Sequence, residues 1–114
     1  MQVNSYSLWS RVCKIAETLP GIYEKLMFDT PAFYTGKKFF CRLREDGETL
    51  VLYNNDRDEW IDRNPDVFFF TDHYKNSSIL LVNLESVKTR DLEKLLINSW
   101  KIRATKTLLK SYNK

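Results

Sequence analysis

Two sets of residues in this chain have types that could carry chemistry. The first is Arg42, His73, Tyr74 and Trp100, drawn from separate stretches of the sequence. A lone histidine can exchange a proton near neutral pH, and Tyr and Arg can orient an anion. A pocket of rings with a few polar groups is an ordinary site for a small ligand or a partner protein. The plainer alternative has His73 capping a loop through a hydrogen bond and Trp100 anchoring a helix. The second set alternates cations with rings: Lys38, Phe40, Arg42, Arg44 and Tyr53, extended by Lys37, Lys75, Lys101, Arg103 and Lys106. Phosphates need cations, and unpaired bases stack on exposed rings for about 1–3 kcal/mol per base. The plainer alternative here is a sheet with one wet face, its rings covered by a helix and its cations solvated.

Other chemistries find no foothold. There is no phosphate-cradling Gly-rich loop ending in Lys-Ser/Thr, no Gly-x-Ser-x-Gly elbow and no Gly-x-Gly-x-x-Gly turn. Cys13 lies in a helical pattern and Cys41 in a strand pattern, and apolar surroundings raise a thiol pKa rather than activate it. Both are expected to be free, buried thiols of a reducing compartment. One histidine and no Cys-x-x-Cys argue against a metal centre. Asp56, Asp58, Glu59 and Asp62 read as the acidic first turn of a short helix, where the helix dipole favours negative charge. The expectation is a protein that is not an enzyme and uses no cofactor.

Those residues need a scaffold. A chain of 114 residues is the size of one domain, and 43% hydrophobic residues are enough for a core. No apolar run approaches the roughly 18 residues that span a bilayer, and residues 1–8 lack the basic flank and apolar stretch of a signal peptide. Charge is uneven: residues 1–87 carry 10 Lys+Arg against 13 Asp+Glu, and residues 88–114 carry 8 against 2. Such asymmetry points to a polyanionic partner or to a solvated basic helix end.

Leu8, Val12, Ile15, Ala16 and Leu19 form one helical stripe over residues 7–19, with Ser7 as the expected N-cap and Pro20-Gly21 as the stop. A strand is expected over residues 23–28. Pro31, which cannot donate to a ladder, predicts an edge or bulge at its own position. Asp46-Gly47 is a hairpin signal that sets Leu43 opposite Leu50, Arg42 opposite Val51, Cys41 opposite Leu52 and Phe40 opposite Tyr53. Alternation then gives a core face of Phe39, Cys41, Leu43, Leu50 and Leu52, and an outer face of Lys38, Phe40, Arg42, Arg44, Val51 and Tyr53. A short helix is expected over residues 54–64, packed through Trp60 and Ile61. Residues 67–71, apolar on both sides, read as a central strand. After a loop at 72–77, residues 78–84 put Leu80, Val82 and Leu84 on one face. A last helix is expected over residues 89–112, capped by Thr89, with a stripe of Leu92, Leu95, Leu96, Ser99, Trp100 and Arg103. Its cations are Lys94, Lys101, Arg103, Lys106 and Lys110.

The order Leu19-Pro20-Gly21, Thr30-Pro31-Ala32-Phe33, Gly36-Lys37-Lys38-Phe39-Phe40, Arg42-Leu43, Pro65-Asp66-Val67-Phe68-Phe69, Thr71, His73-Tyr74 and Trp100…Arg103-Ala104…Lys106 resembles the MmcQ/YjbR family. The resemblance runs from the first helix to about Leu108. It implies a frataxin-like (CyaY-like) α+β fold, an antiparallel sheet packed against N- and C-terminal helices with a short inserted helix. It also implies a double-wing arrangement of sheet and hairpins for DNA binding, with no settled catalytic function. Where the family has Gly and Pro after the His-Tyr pair, this chain has Lys75-Asn76-Ser77-Ser78. Frataxins, which share that fold, are associated with iron through an acidic first helix. Here Glu17 stands against Arg11 and Lys14, so iron is not carried over.

The expectation is thus a single α+β domain over residues 1–114, cytoplasmic and monomeric, without membrane contact. The expected role is that of a DNA-binding or regulatory module, with DNA as the expected partner, bound through the basic-aromatic sheet face and the last helix. The alternative is a small-ligand or protein-binding pocket around His73, Tyr74 and Trp100, with Arg42.

Overall fold

The computed structural model describes residues 2–112, and their side chains from Ser7 onward. Along the chain run α1 (Gln2–Ala16), β1 (Ile22–Met27), β2 (Thr30–Thr35), β3 (Lys38–Leu43), β4 (Thr49–Tyr53), α2 (Arg57–Arg63), β5 (Phe68–Phe69), β6 (Ile79–Asn83), α3 (Thr89–Arg103) and α4 (Lys106–Tyr112). A 3-10 turn, Asp72–Tyr74, precedes β6. The strands form one antiparallel sheet in the order β1-β2-β3-β4-β6-β5. This is the α+β architecture expected.

Alternation along the strands decides which face meets the helices. Phe33, Cys41, Leu50, Leu52, Leu80 and Val82 point to one side, where they join Val12, Ala16, Leu92, Leu95, Leu96 and Trp100 in the main core. Fully burying side chains of this size contributes about 1.5–3 kcal/mol each. On the opposite face Val51, Ile79 and Leu81 form a smaller cluster under Tyr53, Phe69 and Tyr74. Arg57 of α2 holds the covering loop there. It donates to the carbonyls of Tyr74 (2.9 Å), Ile79 (2.7 Å) and Lys75 (2.6 Å), with its guanidinium 3.9 Å from the Phe70 ring centroid.

Several local expectations change. α1 begins at Gln2, so Ser7 lies inside the helix and its carbonyl accepts from Ser10 rather than its side chain capping an end. Thr89 is the first residue of α3, and its hydroxyl accepts from Arg11 at 3.3 Å. Arg11 also donates to the carbonyls of Leu84 and Val87, tying α1 to the loop before α3. Residues 68–69 form an edge strand, not a central one. They are apolar on both sides because Trp60 of α2 meets Phe68 on one face while Phe69 joins the small cluster on the other. Pro31 sits opposite Leu26, one residue beyond the last β2–β3 pair, Ala32–Arg42, and so disturbs no ladder.

The last helix is two helices. Ala104 turns to an extended conformation (φ −71, ψ 154), its N–H closing α3 on the Trp100 carbonyl at 2.8 Å. Thr105 then opens α4, its hydroxyl accepting from Leu108 N–H at 3.3 Å. Leu108, Leu109 and Tyr112 fold back onto the core. Gly21 makes room for this return. Its φ is +68, and a Cβ there would lie 2.6 Å from Leu108.

Candidate nucleic-acid interface

The face of the sheet opposite α1 and α3 is where the candidate residues gather, and a bulge decides which of them reach it. The predicted hairpin register holds at Leu43–Leu50, Arg42–Val51 and Cys41–Leu52. The turn itself closes by Gly47 N–H donating to the Arg44 carbonyl (2.9 Å), with Gly47 at φ +75. Asp46 accepts from Glu48 N–H (2.8 Å), Thr49 N–H (2.9 Å) and the Thr49 hydroxyl (2.8 Å). Burial pushes the Asp46 pKa up, but these hydrogen bonds and the charge of Arg44 outweigh it and hold the carboxyl below its ordinary value.

Beyond Cys41 the register slips. Phe33 pairs with Cys41 but Tyr34 pairs with Phe39, leaving Phe40 as the extra residue of a β-bulge. One extra residue inverts the alternation. Phe40 therefore turns into the core, fully buried against Phe33, and Phe39 turns outward. The expected faces of Phe39 and Phe40 are exchanged, and Phe40 is not an interface residue. Its expected pairing with Tyr53 is also absent. Beyond the Cys41–Leu52 pair β3 and β4 part, and Ser99 of α3 fills the gap, accepting from Tyr53 N–H (2.9 Å) and donating to the Phe40 carbonyl (2.5 Å). One turn later Arg103 passes through the same gap, and its Nε–H donates to the Phe39 carbonyl at 3.0 Å.

The outward turn of Phe39 completes a row of rings across four strands. Tyr23 of β1 stacks on Tyr34 of β2 (centroids 5.5 Å apart), Tyr34 meets Phe39 of β3 (6.5 Å), and Phe39 meets Tyr53 of β4 (5.5 Å). Tyr23 is 45% exposed, and its hydroxyl donates to the Gly36 carbonyl at 2.6 Å. Cations lie on the row. Lys25 Nζ is 5.6 Å from the Tyr34 centroid, and the Arg103 guanidinium is 4.2 Å from that of Tyr53 and 5.8 Å from that of Phe39. Such contacts are worth about 0.5–2 kcal/mol each and fix where the cations sit.

The expected site residues divide accordingly. Tyr53 and Arg103 are in the row, and Lys37 is exposed at the β2–β3 turn beside it; Lys38, expected on the outer face, pairs with buried Thr35, and the inverted alternation turns it to the helix side. Arg42 and Arg44 share the outer face; Arg44 is half-buried, and Arg42 is buried. Lys75 is exposed next to Tyr74, which packs on that face over β4 and β6. Lys101 and Lys106 do not join them. Lys101 lies 5.3 Å from the centroid of Tyr112, whose ring packs on Trp100, and Lys106 opens α4; both belong to the helical layer.

The alternative pocket also comes apart. Arg42 reaches the Tyr74 hydroxyl at 3.3 Å, and His73 packs edge-on against the Tyr74 ring, but Trp100 is fully buried on the other side of the sheet. Burial sets the thiols too: Cys13 is pushed up to about 11 by burial and by Glu24 and Glu17, and burial drives Cys41 higher still. Tyr23, Lys25, Tyr34 and Phe39 are members of the ring row that sequence reasoning missed. The period-2 spacing of Tyr23 and Lys25 was the signal available for β1.

A family model described as YjbR matches residues 17–102. The chain belongs to the YjbR family. The match takes in every strand of the sheet and Ser99, and stops one residue short of Arg103. The crystal structure of Deinococcus radiodurans protein DR2400, with family-model domain DUF419, superposes with a TM-score of 0.72 at 21% identity, over 90% of this chain and 85% of that one. It shows that the YjbR fold is shared. The uncharacterized proteins Rv2570 of Mycobacterium tuberculosis and Mb2600 of Mycobacterium bovis are each 35% identical over 48 residues. Those stretches are 42% of this YjbR chain and 37% of the relatives' own length. Among the described residues, no helix is long and apolar enough to cross a membrane.

Proposed function

We propose that this YjbR chain is a non-enzymatic DNA-binding module that holds single-stranded DNA on the helix-free face of its sheet. The observation that carries the reading is the row Tyr23-Tyr34-Phe39-Tyr53 with Lys25 and Arg103 seated on its rings. A sheet surface that presents rings for stacking and cations for phosphates is a general solution to binding unpaired strands. The rings brace one another, so little side-chain freedom is lost on binding. Lys37 extends the cationic border at one end of the row. Duplex DNA offers no free base faces, so the single strand is the preferred form. The raised thiol pKa values disfavour one enzymatic route, nucleophilic attack by Cys13 or Cys41.

The test is fluorescence anisotropy with a labelled single-stranded oligonucleotide and its duplex, titrated with salt. The single strand is expected to bind more tightly, with log K falling against log salt by about 0.7 per phosphate contact. Tyr34→Ala combined with Tyr53→Ala is expected to weaken binding by about 2–6 kcal/mol, at about 1–3 per stacked base. No binding at low salt, or binding indifferent to both substitutions, would sink the reading.

A further inference from the structure

One cation on the outer face is shut in. Arg42 is 7% exposed, yet its guanidinium partners are all distant. They are the Leu43 carbonyl at 3.4 Å, the Tyr74 hydroxyl at 3.3 Å and the Glu45 carboxylate at 3.8 Å, and the Glu45 side chain is itself 65% exposed. Charge-assisted hydrogen bonds usually run to about 2.7–2.9 Å. A guanidinium has five N–H donors, and these contacts engage only its two terminal nitrogens, which leaves room for a further acceptor.

What covers Arg42 is also unusual. The Phe28 ring centroid lies 5.6 Å from the guanidinium carbon, while Phe28 is 71% exposed. Phe28 and Asp29 form the two-residue β1–β2 turn, with φ of +54 and +65. That left-handed geometry favours Asn-Gly, and a phenylalanine in it is a strained outlier. Strain of this kind persists where surrounding structure enforces it and gathers at functional sites. Across the strands Lys25 pairs with Ala32, and Ala32 pairs with Arg42. A methyl group therefore separates two cations on one row of the sheet. Ala32 lies two residues from Tyr34 along β2, about 7 Å on the same face. That is the scale of the step from a stacked base to its phosphate.

We propose that Arg42 anchors a phosphate site on this face, covered at rest by Phe28. A phosphate group takes the ring's place and accepts two hydrogen bonds from the guanidinium, with Lys25 as the second cation. The DNA reading supplies the source of the phosphate, a backbone group of the bound strand; the site itself stands on Arg42 and Phe28. The ring's displacement is a gate, because only the open fraction of molecules can bind, and the apparent affinity falls by that fraction.

The experiment pairs two titrations of the full chain and its variants. Inorganic phosphate binding is followed by thermal shift at constant ionic strength, and oligonucleotide binding by anisotropy. Phe28→Ala is expected to bind inorganic phosphate about threefold more tightly or better, by removing the closed population. Arg42→Gln is expected to lose phosphate binding, and Tyr34→Ala to keep it while binding the oligonucleotide more weakly. If Arg42→Gln does not fold, Phe28→Ala decides: unchanged phosphate affinity overturns the gate. Arg42-dependent phosphate binding with no binding of any oligonucleotide upholds the site, makes a free phosphate its source and overturns the DNA reading. Oligonucleotide binding indifferent to Phe28→Ala and Arg42→Gln, with no phosphate effect, overturns the site and leaves the DNA reading standing.

Discussion

At Asp46 a single carboxylate organises a turn that the Asp-Gly pair only announces. Three donors converge on it, and its pKa is held below the ordinary aspartate value of 3.8. A group whose folded pKa is depressed contributes stability above its unfolded pKa and loses it as pH falls through the folded one. Asp46→Ala is therefore expected to cost about 1 kcal/mol at pH 7, discounted for the solvent that reaches the turn. The cost should shrink below about pH 4, where the unfolded carboxyl becomes protonated. Urea unfolding of both proteins at pH 7 and pH 3 measures it, and an equal gap at both values would mean the charge is irrelevant.

At the level of elements, the β3 bulge separates what two neighbouring phenylalanines do. Phe40→Ala empties a fully buried site and is expected to cost about 3–5 kcal/mol in denaturant unfolding. Phe39→Ala is expected to cost far less stability but to weaken oligonucleotide binding, because it breaks the ring row. The reverse ranking would place the bulge elsewhere. The sequence carried the sheet well. The β3–β4 register, the buried faces of β4 and β6, and the stripe of α3 were all legible from alternation and helical spacing. The bulge was not, because Phe39 and Phe40 are the same residue type and period-2 reading has no means of choosing between them. Nor was the break at Ala104-Thr105, since neither Gly nor Pro marks it and the stop comes from Leu108 packing beside Gly21. The edge position of β5 was hidden because α2 and the 70–79 loop make an edge strand as apolar as a central one.

The whole molecule sorts its charge differently from its sequence. The basic excess of residues 88–114 looked like one cationic helix. Folding divides it, sending Arg103 through the sheet to the aromatic row while Lys101 and Lys106 remain in the helical layer. A Lys101→Gln, Lys106→Gln double variant is therefore expected to leave the salt slope of oligonucleotide binding within about 0.3 of the parent. Lys25→Gln should reduce that slope by about 0.7, the value of one single-strand phosphate contact. Salt titration by anisotropy compares them, and a double variant with the larger change would move the interface to the helices.

The gap between β3 and β4 carries a further consequence. Tyr53 N–H is protected by the hydroxyl of Ser99 rather than by a neighbouring strand. Its exchange with deuterium from solvent requires α3 to lift, not the two strands to separate. Val51, two residues earlier, is opposite Arg42, and the ladder that runs from the Arg44 N–H to the Thr49 carbonyl turns its N–H toward β3. The two amides thus report different openings of the molecule. A strand resting on Arg103 should slow exchange at Tyr53 more than at Val51, so that this one amide, bonded to the helix behind the sheet, registers the arrival of bases on the other face.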